Sequence, residues 1–188
     1  MWAGEVEIRR RPVPVTSRKR RAVEERLGLR FPRLRALAAK AIWRQPSRRL
    51  RWAAARRVLR LGWDSFNRDD YEATFMLYRP DTESAGADLW GSVGIEMRTT
   101  GRGERLGYQR SVRGEWDELR FEPEEVFEIG EDRLLSVGRM KGVGRASGAT
   151  VDTPWAALFE IEDGMVRRER IFLDRDEALE AATKPQFP

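Results

Sequence analysis

The sequence predicts an α+β fold, with helices laid on one face of a curved, mostly antiparallel sheet. Two observations carry that prediction. Between about residues 31 and 117, outside the Gly-rich stretch 84–102, the apolar residues recur at helical spacing. From Leu119 onward they fall into four strand-like runs separated by the turn sequences GED, ASGA and EDG. Helices first and an antiparallel meander after is the order of a segregated α+β domain.

Taken in order, residues 1–30 mix like charges with two prolines and offer no sustained apolar face, which predicts a disordered arm with room for a short helix near residues 20–27. Residues 31–46 read as a basic amphipathic helix. Pro32 suits its start, Leu34, Leu37, Ala38, Ala41 and Ile42 share a face, and Pro46 ends it. Ser47 then caps a long helix to about Asn67. Its two adjacent stripes, Leu50, Ala54, Val58 and Leu61 beside Trp52, Ala55, Leu59, Trp63 and Phe66, call for burial on more than one seam. Asp69 followed by Glu72 resembles a capping box and predicts a second helix that Pro80 ends. Residues 84–102 are Gly-rich and accommodate one irregular strand, and a third helix is expected over about 104–117. The strands fall at 119–130, 133–145, 150–162 and 165–174, and a last short helix, RDEALEAA, follows Asp174 as its cap. The domain reading is an arm (1–30), a basic helix (31–46), an α+β domain (47–182) and a tail (183–188).

Composition excludes whole classes of chemistry. With no cysteine and no histidine, thiolate nucleophiles, disulfides, Ser–His and Cys–His schemes and His-ligated metals are ruled out. Acid–base work falls to Asp, Glu, Tyr, Lys or Arg. The net charge of +5 hides a split. Residues 1–60 carry 19 Lys/Arg against 4 Asp/Glu, a balance of +15, and residues 61–188 carry 17 against 27, a balance of −10. No apolar run approaches the ~18 residues of a membrane span, and charges interrupt every apolar stretch near the N-terminus. A cytoplasmic location is the expectation.

The frame RRVLRLGWDSFNRDDYEATFMLYRPDTE, with the C-terminal FEPEEVFEIGEDRLLSVGRMKGVGRASGATVD and FEIEDGMVRRERIFLDRDEALEAA, resembles the SnoaL-like domains of the nuclear transport factor 2-like (ketosteroid isomerase-like) superfamily. The resemblance covers roughly residues 48–182 and rests on the order of elements. It implies a cone of about three helices capping a strongly bent sheet, with a pocket open at one end and the rings around Asn67 lining it. It also implies a sheet-mediated homodimer. Members include isomerases, cyclases, dehydratases and non-catalytic modules, so the fold does not choose the chemistry.

Aligned by its corner, the chain places Gly62 where the steroid isomerases carry a helix Tyr and Ala156 at their second Asp, so that mechanism lacks its parts here. Asp88, Glu169 and Asp174 are the carboxylates considered as a catalytic base, with Glu160 behind them. Glu169 and Asp174 have opposite strand parity, and Asp174 equally suits a helix cap. The pocket candidates are Trp63, Phe66, Tyr78, Tyr108, Trp116, Trp155 and Phe172, with Arg139 and Arg170 as anion-binding groups; each has an ordinary core or cross-strand reading beside it. The carboxylate pairs show no metal-ligand spacing and the glycines of GRMKGVGRASG no phosphate loop, so neither metal nor cofactor is expected.

The function expected is a SnoaL-like pocket protein for a small apolar or aromatic molecule, with room for carboxylate-driven proton transfer of isomerase or cyclase/dehydratase type. The alternative is a non-catalytic dimeric module whose basic arm meets an anionic partner. Residues 9–60 would suit nucleic acid or an anionic membrane surface, but docking of the +15 region (1–60) onto the −10 region (61–188) is the favoured reading.

Overall fold

The computed structural model describes residues 7–12, 19–87 and 96–184. Its elements are β1 (Ile8–Pro12), α1 (Val23–Arg30), α2 (Pro32–Trp43), α3 (Arg48–Phe66), α4 (Tyr71–Thr74), β2 (Tyr78–Ala87), β3 (Glu96–Thr100), α5 (Arg102–Gly114), β4 (Trp116–Ile129), β5 (Arg133–Gly144), β6 (Thr150–Glu162), β7 (Met165–Phe172) and α6 (Arg175–Thr183). The strands form one curved, unclosed sheet in the order β1-β4-β5-β6-β7-β2-β3. All pairings are antiparallel except β2 with β7.

Alternation along the strands divides the sheet into two buried faces. The concave face carries Trp116, Leu119, Phe121 and Val126 of β4, Leu134 and Met140 of β5, Trp155, Ala157 and Phe159 of β6, and Ile171 of β7; these pack with Trp52, Phe66 and Phe75. The convex face carries Phe127, Ile129, Leu135, Val137, Ala156, Leu158 and Phe172 and is covered by Ala178, Ala181 and Ala182 of α6. The bend is built into β4 and β5. Register shifts between Pro123 and Glu125, and a Cβ on Gly138 opposite would overlap the Glu122 carbonyl oxygen.

Several elements differ from the sequence reading. Asp69 starts no helix; it sits at φ 61 in the left-handed region and accepts from the Tyr71 hydroxyl (2.7 Å) and Arg113 Nε (2.7 Å). The helix after it lasts four residues, and the chain turns extended at Tyr78, so Pro80 lies within β2. Residues 84–102 hold parts of two strands, and the arm expected to be disordered contains β1 and α1.

That arm docks through ion pairs. Arg21 makes a two-pronged bond with Asp70 (2.6 and 2.8 Å). Glu25, fully buried, accepts from the Ala22 amide, the Ser65 hydroxyl and the Arg68 guanidinium. Lys40 (2.9 Å) and Arg44 (3.3 Å) of α2 hold Asp163 in the β6–β7 turn. There Gly164, at φ 78, lies against the Ala39 backbone, where any side chain would collide.

Candidate functional site

A cavity of about 730 Å³ lies between α2, α3, the chain around α4, α5 and the concave face of the sheet. Much of its wall is aromatic. Trp63 meets Trp155 at 4.5 Å between ring centroids and lies stacked on Phe121 at 5.6 Å; Phe66 meets Phe121 edge-on at 4.7 Å. Asn67 fixes the corner of α3 above this cluster. Its side-chain amide donates to the Phe121 carbonyl and its oxygen accepts from the Phe121 amide, both at 2.8 Å, as a paired strand residue would.

One corner of the cavity is polar. Strand period places Glu169 and Ile171 of β7 on the concave face, and helical period places Arg105 and Gln109 of α5 opposite. Glu169 Oε1 accepts from the Tyr78 hydroxyl at 2.8 Å, and Oε2 accepts from Arg105 Nε at 2.7 Å. Arg105 also donates to Gln109 Oε1 at 3.0 Å, and its guanidinium lies 4.8 Å from the Phe75 ring centre. All four polar residues are buried. Burial, and then the neighbouring Glu169 charge, hold the Tyr78 hydroxyl well above the usual phenol range, so it remains a donor. Burial alone would lower Arg105, but the Glu169 charge and hydrogen bond outweigh it and raise it. Gln109 Nε2 and the indole N–H groups of Trp63 and Trp155 meet no acceptor among the described residues.

Of the residues expected to line a pocket, Trp63, Phe66, Tyr78, Tyr108 and Trp155 do so. Trp116 is buried core whose ring covers Gly142, not cavity wall. Arg139 pairs with Asp152 at 2.6 Å on the exposed side of the sheet. Arg170 and Phe172 do not line the cavity: Phe172 packs under α6, and the Arg170 guanidinium lies 5.4 Å from its ring centre. Strand parity separated the two faces of β7 correctly, and the cavity lies on the face opposite the one considered for Arg170.

Among the carboxylates, Glu169 lines the cavity, tied to Arg105 and Tyr78. Asp174 is outside the cavity wall: its Oδ1 caps α6, accepting from the Glu177 amide at 2.8 Å. Glu160 lies 3.6 Å from Arg168. Asp88 lies outside the described residues. Arg105 and Gln109 were not singled out from the sequence. Their one signal there is the i, i+4 spacing that lets the two side chains meet.

No protein-family model matches the sequence, and no curated protein does. Solved structures do match in shape. An NTF2-like protein of unknown function from Burkholderia pseudomallei aligns with TM-score 0.56 and 20% identity over 68% of this chain and 96% of its own. TerC, co-crystallised with polyporic acid, aligns with TM-score 0.55 and 20% identity over 68% of this chain and 97% of its own. A protein named as a candidate SnoaL-like polyketide cyclase from Jannaschia aligns with TM-score 0.54 and 19% identity over 76% and 98%. The chain has the NTF2-like cone fold shared by SnoaL-like proteins.

Proposed function

We propose that this chain is a SnoaL-like pocket protein that binds a small, largely apolar molecule carrying hydrogen-bond acceptor oxygens. The observation that supports it best is the aromatic-walled cavity of about 730 Å³ with buried donors on Gln109 and Trp155 that meet no acceptor among the described residues. Small-molecule sites span about 300–1,000 Å³ and set a few polar groups in an apolar wall. An unmet buried donor costs about 1–3 kcal/mol, so a guest that supplies an acceptor gains affinity. Charge narrows the class further. Arg35, Arg51, Arg57 and Arg105 line the cavity against Glu24 and Glu169, so a neutral or anionic guest suits it and a cationic one does not. The ligand seen in TerC and the cyclase name of the Jannaschia protein fit a fold that takes such guests.

A proton-transfer step on the guest would run through Glu169, the buried carboxylate among the described lining residues. Both oxygens of that carboxylate are already engaged, Oε1 by Tyr78 and Oε2 by Arg105, so binding comes before catalysis in this reading.

Titration with the neutral aromatic probe N-phenyl-1-naphthylamine, followed by quenching of Trp63 and Trp155 emission, tests the reading. Gly62 lines the cavity, and a Cβ there would meet no atom nearer than the Thr74 carbonyl oxygen at 4.0 Å. Gly62→Leu should keep the fold by circular dichroism and weaken the probe by about tenfold, the cost of displaced apolar contact. Equal affinity in the variant would sink the assignment.

A further inference from the structure

Large apolar side chains left exposed on this molecule are not scattered. Of the nine among the described residues, seven fall between Val23 and Leu50: Val23, Leu27, Phe31, Leu34, Leu37, Ile42 and Leu50. Scattered exposed leucines are ordinary, but a concentration on one helical segment marks an interaction surface. Leu34 and Leu37 of α2 are 62% and 64% exposed, and α2 buries no residue fully. Leu27, Phe31, Leu34 and Ile42 are exposed and also line the cavity, which puts them at its mouth.

The charge around this rim is mainly positive, with Glu24 of α1 an exposed acid on it that pairs with Arg57 at 2.9 Å. Residues 31–60 carry ten Lys/Arg and no Asp/Glu. Part of that charge is spent inside the molecule, on Asp163 by Lys40 and Arg44 and on Glu131 by Arg48 and Arg51. Arg20, Arg26, Arg33 and Arg49 are exposed and meet no acidic partner among the described residues. The pattern therefore combines an apolar rim, flanking cations that meet no acid among the described residues, and an apolar cavity opening between them. A basic amphipathic surface of this kind suits the headgroup–acyl boundary of an anionic bilayer, where leucines enter the boundary and arginines meet lipid phosphates. A second copy suits it less, because a two-fold contact would set the same arginine-rich face against itself. Nucleic acid would use the arginines and leave the leucines in water.

We propose that α1, α2 and the first turn of α3 seat the mouth of the cavity on an anionic membrane surface. The proposal goes beyond the pocket reading and does not depend on it, since vesicle binding needs no guest in the cavity.

Flotation of the whole chain with phosphatidylcholine vesicles, with and without added phosphatidylglycerol, tests it. The protein should float with the anionic vesicles, remain behind with the neutral ones, and dissociate as salt rises. Leu37 and Leu50 are exposed and lie outside the cavity wall. Leu37→Glu with Leu50→Glu should weaken vesicle binding by at least about tenfold while probe binding in the cavity is unchanged. Arg26→Glu with Arg33→Glu should remove the preference for anionic lipid. Absence of flotation with anionic vesicles overturns the proposal, as does binding that survives the leucine variant. So does a wild-type dimer in sedimentation velocity that the leucine variant converts to monomer, because the face then belongs to a second copy.

Discussion

Arg105 and Glu169 expose 7% and 2% of their side chains, so each charge depends on the other in place of water. Removing one partner from a buried pair leaves the other uncompensated and costs about 3–5 kcal/mol, whereas replacing both by apolar groups is often near neutral. Glu169→Gln keeps the shape and removes the charge that Arg105 needs. Tyr78→Phe removes one donor to the charged Glu169, which costs about 1.5–3 kcal/mol and leaves the Arg105 bond in place. Urea denaturation should therefore rank Glu169→Gln below Tyr78→Phe, and Arg105→Met with Glu169→Leu should recover most of the loss. A Glu169→Gln protein as stable as Tyr78→Phe would mean that the pair is hydrated. Both members of the pair are ordinary in sequence: Arg105 is one of 36 basic residues, and Glu169 sits among three arginines in RRER. Only the pleat, which puts Glu169 beside Ile171, and the approach of α5 bring them together, and sequence spacing reports the first alone.

At the scale of elements, what depended on local periodicity was legible, and what depended on distant chain was not. α3, the meander β4–β7 and the capped α6 follow from apolar spacing, Gly-rich turns and Asp174. β2 follows from none of these. It carries Pro80, and it holds its place by pairing in parallel with β7, nearly ninety residues away. The order of α1 likewise comes from partners beyond its own segment, Asp70 and the buried Arg68–Ser65 corner. This docking depends on pH. Burial alone would raise Asp70, but bonds from Arg21 and then Arg68 outweigh it and hold the carboxyl below its ordinary 3.8. A depressed folded value means that the stabilisation is complete above the unfolded pKa and is lost as pH falls through the folded one. Hydrogen exchange at α1 amides, corrected for intrinsic rate, should thus lose protection on acidification below about pH 4. Arg21→Ala should flatten that dependence by returning Asp70 toward its ordinary value. Equal profiles would show that the acid sensitivity does not arise at the Arg21–Asp70 pair.

The whole molecule is held across its charge divide. Cations of residues 1–60 meet acids of residues 61–188 at Arg10–Glu125, Arg21–Asp70, Lys40–Asp163, Arg51–Glu131 and Arg56–Glu128, and the buried Arg68–Glu25 pair runs the other way. The split of +15 and −10 was plain in the composition, but its partners were not, since pairing depends on where the bent sheet carries Glu125, Glu128 and Glu131. The Debye length is about 8 Å at physiological ionic strength and shortens as salt is added, which weakens exposed pairs more than buried ones. Salt should therefore loosen α2, whose anchors Lys40 and Asp163 are about 40% exposed, before it touches the core. Trypsin offers a readout because α2 and its flanks are rich in arginine. Cleavage between residues 33 and 49 should quicken as sodium chloride rises, while the fragment containing β4–β7 persists. Asp163→Asn should reproduce the salt effect at low ionic strength, because it removes the one acid that both Lys40 and Arg44 hold. Cleavage indifferent to both salt and Asp163→Asn would show that apolar contacts such as Trp43 against Trp52, not its charges, keep α2 over the cavity.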